Sequence, residues 1–229
     1  NELLKSISMK EDYPEGFFIY TDYQTSGKGQ GINRWESKKG KNILFSILLF
    51  PKHILTSEQF IISQIVSIAI LDVLSDIVPN VKIKWPNDIY VNDKKIAGIL
   101  IENTIQGSVI NKTIIGIGIN VNQTKFTSYA PNPTSLKLIT KKSYNRKNLI
   151  FRIIQKIFEC YFSADYETIK MQYFNKLYRG EGYYPYSGEG ETFRAKITEV
   201  LNDGRLVLLN EEGESKIYGF KEVEFIINL

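Results

Sequence analysis

The stretch YQTSGKGQGINRWES, Tyr23 to Ser37, sets a glutamine, three spaced glycines, a lysine and a tryptophan close together. Lacking Cβ atoms, Gly27, Gly29 and Gly31 let backbone N–H groups turn toward a ligand, and Lys28 adds a full positive charge. That combination can hold an anion, although a glycine-rich loop also serves as a plain connection. Two familiar nucleotide loops are excluded by spacing. No lysine followed by Ser or Thr completes a G-x-x-x-x-G-K-[ST] pattern, and Ile32 stands where the dinucleotide fingerprint needs its third glycine. Scarcity narrows the chemistry further. His53 is the only histidine and Cys160 the only cysteine, so no internal disulfide and no multi-histidine or cysteine-rich metal centre can form. Hydrolases built on Ser-His-Asp or Cys-His are excluded unless His53 is catalytic; both residues read as structural.

The elements that must carry this loop are legible as alternating and continuous apolar runs. GFFIYTDY from Gly16 reads as a short strand before the loop, and NILFSILLF from Asn42 as a buried strand closed by Pro51. Thr56 or Ser57 can cap a helix with Glu58 in its first turn, running to about Val78 and stopped by Pro79. VKIKW from Val81 is a strand, IYV and IAGILIE form a hairpin turning at Asn92-Asp93, and KTIIGIGINVN from Lys112 is a further strand. Leu149 to Leu177 has helical periodicity, and RGEGYYPYSGEGE has linker composition. Short strands and turns follow from Thr192. The pattern predicts an α+β fold: a mixed or largely antiparallel sheet with helices on one side, then a small SH3-like β-barrel. The domains are expected at residues 1–182 and 183–229.

KWPNDIYVNDKKIAGILIE, Lys84 to Glu102, resembles the signature of biotin–protein ligases almost position for position. The glycine loop resembles that family's ligand loop, in which a glutamine precedes G-[RK]-G and tryptophan-x-serine follows. GIGIN from Gly116 and PTSL from Pro133 match in the right order, and the likeness spans essentially the whole chain. The resemblance implies a catalytic domain like those of biotin ligases and class II aminoacyl-tRNA synthetases. It also implies a two-step reaction. Biotin and MgATP give biotinyl-5′-AMP and pyrophosphate, and a lysine of a biotin carboxyl carrier protein then takes the biotinyl group. The glycine loop becomes a cover that shields the mixed anhydride from water.

Residue by residue, the resemblance makes Lys95 the catalytic lysine, neutralising the biotin carboxylate and the α-phosphate. Lys28 replaces an arginine and supplies charge without a planar fork. Gln30 occupies a position that is arginine in several bacterial members, a loss that Arg34 or Lys38 would offset. Gln24 is expected to bond the ureido ring of biotin and Trp35 to form a wall over the adenylate. Gly27 and Gly98 complete the biotin set, with Gly116 and Gly118 allowing close backbone approach. Asn87 and Asn120 join Gln30, Arg34 and Trp35 on the nucleotide. Asp88 orients the acceptor lysine, or the ribose and metal side of the nucleotide, acting in positioning before acting as a base. Asn1 matches the last residue of a Ser-Thr-Asn biotin motif, and Trp85 reads as structural. No metal ligand of protein origin is assigned; Mg²⁺ enters with ATP. The acceptor step carries a cost, since a free lysine is neutral about once in 2,500 molecules at pH 7, or ~4.6 kcal/mol.

The net charge of +4 divides unevenly: residues 1–180 carry 24 Lys/Arg against 15 Asp/Glu, and residues 181–229 carry 5 against 10. The larger part therefore attracts anions. Phe60 to Val78 is interrupted by Ser63, Gln64, Ser67, Asp72, Ser75 and Asp76, which suits a buried amphipathic helix rather than a membrane span. No signal peptide is read, one cysteine is compatible with a reducing compartment, and a cytoplasmic location is expected. With no helix-turn-helix ahead of the catalytic part, DNA binding is not expected, and the choice between monomer and homodimer stays open. Lipoate–protein ligase, a degenerate binding module and a non-enzymatic nucleic-acid binder are the competing readings. The acidic C-terminal part argues against the last.

Overall fold

The computed structural model describes residues 1–31, 33–127, 132–162 and 165–227, so Ile32 lies outside the described residues. Six strands form the main sheet: β1 (Phe18–Tyr20), β2 (Ile43–Leu49), β3 (Val81–Lys84), β4 (Asp88–Val91), β5 (Lys94–Gln106) and β6 (Val109–Ile119). Their order is β1-β2-β6-β5-β4-β3, and every ladder is antiparallel, the second of the two arrangements the sequence allowed. The alternation that makes these strands also separates two faces. In β6, Ile115, Ile117 and Ile119 enter the core, while Gly116 and Gly118 surface on the other side. The turn between β4 and β5 uses Asn92 at φ 52°, a left-handed position asparagine tolerates.

Helices α2 (Phe60–Ser75), α4 (Arg146–Phe162) and α5 (Tyr166–Asn175) cover the core face. One helix breaks the one-sided expectation. In α1 (Glu2–Ile7), Leu4 packs with Leu48 and Ile114 on the opposite face. The capping expectation for α2 also fails. Thr56–Glu58 is a separate 3₁₀ turn, the helix starts at Phe60 without a side-chain cap, and it ends at Ser75. Nor is α2 amphipathic. Ser63, Gln64 and Ser67 are buried because α4 and α5 press on it from beyond the sheet, and the Ser63 hydroxyl donates to the Pro86 carbonyl at 3.2 Å. Thr56–Ser75 is long and apolar enough to cross a membrane, but most of it is packed inside the fold. The Leu149–Leu177 periodicity resolves into two helices, with the Asp165 carboxylate accepting from the Thr168 N–H at the start of α5. Short helix α3 (Leu136–Thr140) follows Ser135, whose hydroxyl accepts from the Leu138 N–H.

The second sheet contains β7 (Tyr184–Gly188), β8 (Glu191–Val200), β9 (Leu206–Asn210), β10 (Ser215–Tyr218) and β11 (Val223–Phe225), ordered β10-β9-β8-β7-β11. Strand β7 lies inside the stretch read as linker. Gly182 and Gly190, both at φ +84°, bracket it, so the glycines mark turns on either side of a strand. Tyr186, Ile197, Leu206 and Leu208 belong to the same continuous core as α2 and the main sheet. A polar tie reinforces the join, since the buried Trp85 indole N–H donates to the Gly204 carbonyl at 2.8 Å. Trp85→Phe removes the donor together with part of a buried ring system and orphans that carbonyl, an expected loss of at least ~1–3 kcal/mol that should lower Tm by several degrees in a calorimetric scan.

Candidate active site

Cross-strand register builds the floor of the site. Gly98 sits opposite Gly118, which sits opposite Leu44; in the next row Leu100 faces Gly116, which faces Ser46. The glycines leave a shallow depression, and two side chains fill it. A Cβ on Gly118 would lie 2.5 Å from the Trp35 ring, and one on Gly98 3.1 Å from it. A Cβ on Gly116 would lie 2.3 Å from the side-chain oxygen of Asn1. Asn1 is held there by the Ser46 hydroxyl at 2.8 Å and by donation to Glu102 at 2.7 Å.

Lys95 lies near the start of β5, the strand that also carries Gly98 and Leu100. Its ammonium meets Asp88 Oδ1 at 2.6 Å and lies 5.7 Å from the Trp35 ring centroid. Both partners of this pair are about four-fifths buried, with side-chain exposures of 24% and 20%. The backbone of Lys95 is fixed from a second side: its N–H donates to Asn132 O and its carbonyl accepts from Thr134 N–H, each at 2.9 Å. The PTSL segment therefore aims Lys95.

The glycine loop is a closed hairpin. Trp35 N–H donates to Gly27 O at 3.0 Å, Gly29 N–H donates to Asn33 O at 2.8 Å, and Lys28 bridges Arg34. Of the three glycine amides, the hairpin consumes the Gly29 N–H, which is therefore not offered to an anion. Beyond Trp35, Glu36 and Gln123 anchor the loop's exit. Gln123 donates to Glu36 at 3.1 Å and accepts from the Lys38 N–H at 2.8 Å.

A cavity of about 1550 Å³ gathers Gln24, Lys28, Gln30, Arg34, Trp35, Asn87, Asp88, Lys95, Gly98 and Asn120 on its walls. Gly27 stands behind the wall, its Cα facing the Trp35 carbonyl. The Lys28 ammonium turns away to the exposed carboxylate of Glu2 at 2.6 Å, so it does not join Lys95. Asn87 has already spent its amide, donating to Ile99 O at 2.5 Å and bracing the motif turn against β5. Four buried polar atoms on these walls lack a partner among the described residues: Gln24 Oε1, Gln30 Oε1, Trp35 Nε1 and Asn120 Oδ1. Buried polar atoms are normally bonded, so this clustering fits a site that binds a polar ligand. The exposed His53 ring lies 2.7 Å from the Tyr166 hydroxyl and does not line the cavity, and Cys160 is a buried thiol whose pKa desolvation raises.

Sequence reasoning missed Lys84 and the residues contributed by the C-terminal part. Lys84 lines the cavity from β3, although it opens the quoted motif, and Phe220, Glu224 and Phe225 reach in from the second sheet with no local signal.

Residues 1–120 match the sequence profile of the biotin/lipoate A/B protein ligase family. The chain is 31% identical over 214 residues to the bifunctional ligase/repressor BirA of Bacillus spizizenii, covering 90% of this chain and 65% of that protein. It is 29% identical over 183 residues to biotin–protein ligase 1, chloroplastic, of Arabidopsis thaliana, covering 74% and 48% respectively. The chain thus spans less than two thirds of the length of these curated relatives. Among solved structures, the biotin protein ligase of Aquifex aeolicus in complex with biotin and ATP superposes with a TM-score of 0.79. That match has 26% identity and covers 97% of this chain and 94% of the other. The α+β fold with its small C-terminal β unit is the fold of biotin ligases. By profile, sequence and fold, the chain belongs to the biotin/lipoate A/B protein ligase family.

Proposed function

We propose that the chain is an ATP-dependent biotin–protein ligase. It would form biotinyl-5′-AMP from biotin and MgATP, then transfer the biotinyl group to a lysine of a biotin carboxyl carrier protein. The observation that carries this reading is the Lys95–Asp88 pair, set beside Trp35 over a floor of glycines. On this reading biotin's ring system meets the Gln24 amide, and its carboxylate comes to the Lys95 ammonium. There the positive charge offsets repulsion between two anions and stabilises the pentavalent phosphorus that follows. Asp88 holds the Lys95 ammonium in place at 2.6 Å. Trp35 walls the adenylate, with Gln30, Arg34 and Asn120 on the nucleotide side. Residues 1–182 hold the chemistry and residues 183–229 close one wall. Mg²⁺ would come with the nucleotide; no cluster of three or more His, Cys, Asp or Glu stands among the described residues.

Lipoate is the competing substrate, since the family profile spans both. ATP–pyrophosphate exchange driven by biotin, run beside the same assay with lipoate, decides between them. Exchange with biotin alone supports the proposal, and exchange with lipoate alone overturns it.

A further inference from the structure

Strand β3 alternates, so Val81 and Ile83 enter the core while Lys84 emerges on the site face. There it stands directly across the ladder from Asp88. Its Nζ lies 4.6 Å from the Phe225 ring centroid and 5.7 Å from that of Tyr90, with no ion pair to a described residue. The adenylation and transfer roles of Gln24, Trp35, Asp88 and Lys95 leave unused this amine on the cavity wall, beside the Lys95–Asp88 pair and without a carboxylate of its own.

That reaction lacks a proton acceptor. The attacking lysine must shed a proton, and Asp88 is poorly suited to take it. Its carboxylate is bound to Lys95 at 2.6 Å, and an ordinary aspartate lies about six pK units below an amine. A second amine matches the donor far better, and proton acceptors work best near the pKa of the group they serve.

Resting on the biotin-ligase reading, we propose that Lys84, as its neutral amine, accepts the proton released in the transfer step. The acceptor ammonium first passes one proton to Lys84 Nζ, and its freed nitrogen bonds to the biotinyl carbonyl carbon as the C–O bond to phosphate breaks. AMP leaves with the electron pair, and the nitrogen's second proton goes to the departing phosphate, a step that a neutral nucleophile shares. The surroundings favour this state. Burial pushes the Lys84 ammonium below the usual lysine range, opposed by Asp88 on β4 and Glu224 on β11 and helped by Lys95 on β5 and Arg179 ahead of β7. Phe225 belongs to the second sheet, so that sheet supplies part of the wall that dries the amine.

The test separates the half-reactions in Lys84→Arg, which keeps charge but cannot deprotonate, and Lys84→Met. Biotin-dependent exchange reports the first step. Quenched-flow transfer from preformed biotinyl-adenylate reports the second, to a carboxylase carrier domain and to hydroxylamine, a nucleophile already neutral at pH 7. In both variants the ratio of carrier transfer to exchange should fall about 100-fold, with hydroxylamine transfer relative to exchange held within about threefold of wild type. The wild-type carrier rate should rise with pH and level off below the ordinary lysine pKa of about 10.4, and Lys84→Arg should lose that inflection. Unchanged carrier transfer, or equal losses with both nucleophiles and in exchange, would overturn the assignment. A wild type that shows no exchange with biotin overturns the ligase reading and this inference together, whereas normal wild-type exchange with normal Lys84→Arg transfer overturns this inference alone.

Discussion

Lys95→Ala should lower biotin-dependent ATP–pyrophosphate exchange about 1,000-fold, or ~4 kcal/mol of transition-state stabilisation. The same substitution should barely change the melting temperature. The two effects differ because they depend on different parts of the residue. The backbone of Lys95 is clamped by Asn132 and Thr134 whatever side chain it carries. The Asp88 carboxylate left behind opens onto the cavity, where water can take the place of the ammonium, so the loss to folding stays small beside the loss to the reaction. A charge aimed at a developing anion in a water-poor site contributes far more to the reaction than to the fold. Exchange kinetics beside a thermal scan check both. A large fall in melting temperature would mean that the lysine is structural, and retained exchange would remove it from the chemistry.

Gly27→Ala should weaken biotin binding about 10–100-fold, corresponding to the ~1–3 kcal/mol of a methyl forced into a filled space. The added carbon would sit 2.3 Å from the Trp35 carbonyl oxygen and 2.9 Å from Gln24 Oε1. The first neighbour is backbone, locked to Gly27 by the 3.0 Å bond that closes the hairpin, so the strain cannot be relieved by a rotamer change. The hairpin must open, and Trp35 then loses its seat over Gly98 and Gly118. Gly29→Ala is the control, because its methyl would meet Asn33 Cβ at 3.2 Å, a contact that a small shift relieves. Titration calorimetry with biotin should rank Gly27→Ala well below Gly29→Ala; equal losses would detach the hairpin from binding.

Where the sequence was legible, local periodicity and the site coincided. The alternation in GIGIN that makes β6 a strand also puts Gly116 and Gly118 on one face and the isoleucines on the other. The turn at Asn92-Asp93 set Lys95 at the head of β5. What escaped was long-range or disguised. Glu2 holds Lys28 across 26 residues, and nothing near either residue announces it. Helix α1 is six residues long, too short for its periodicity to show, and its docking depends on one leucine meeting Leu48 and Ile114. Strand β7 was masked by the glycines that flank it. The serines that suggest an amphipathic α2 are buried, because the number of layers packed around a helix is a tertiary property.

The shared core around Trp85 and Gly204 bears on how the protein can be divided. Removing everything after the glycine-rich stretch would strip the cover from Phe60, whose ring lies against Gly204, and leave the Trp85 indole without its acceptor. A usable fragment must therefore run through Phe225, because the small sheet is part of the same folded body and cannot be treated as a detachable appendage.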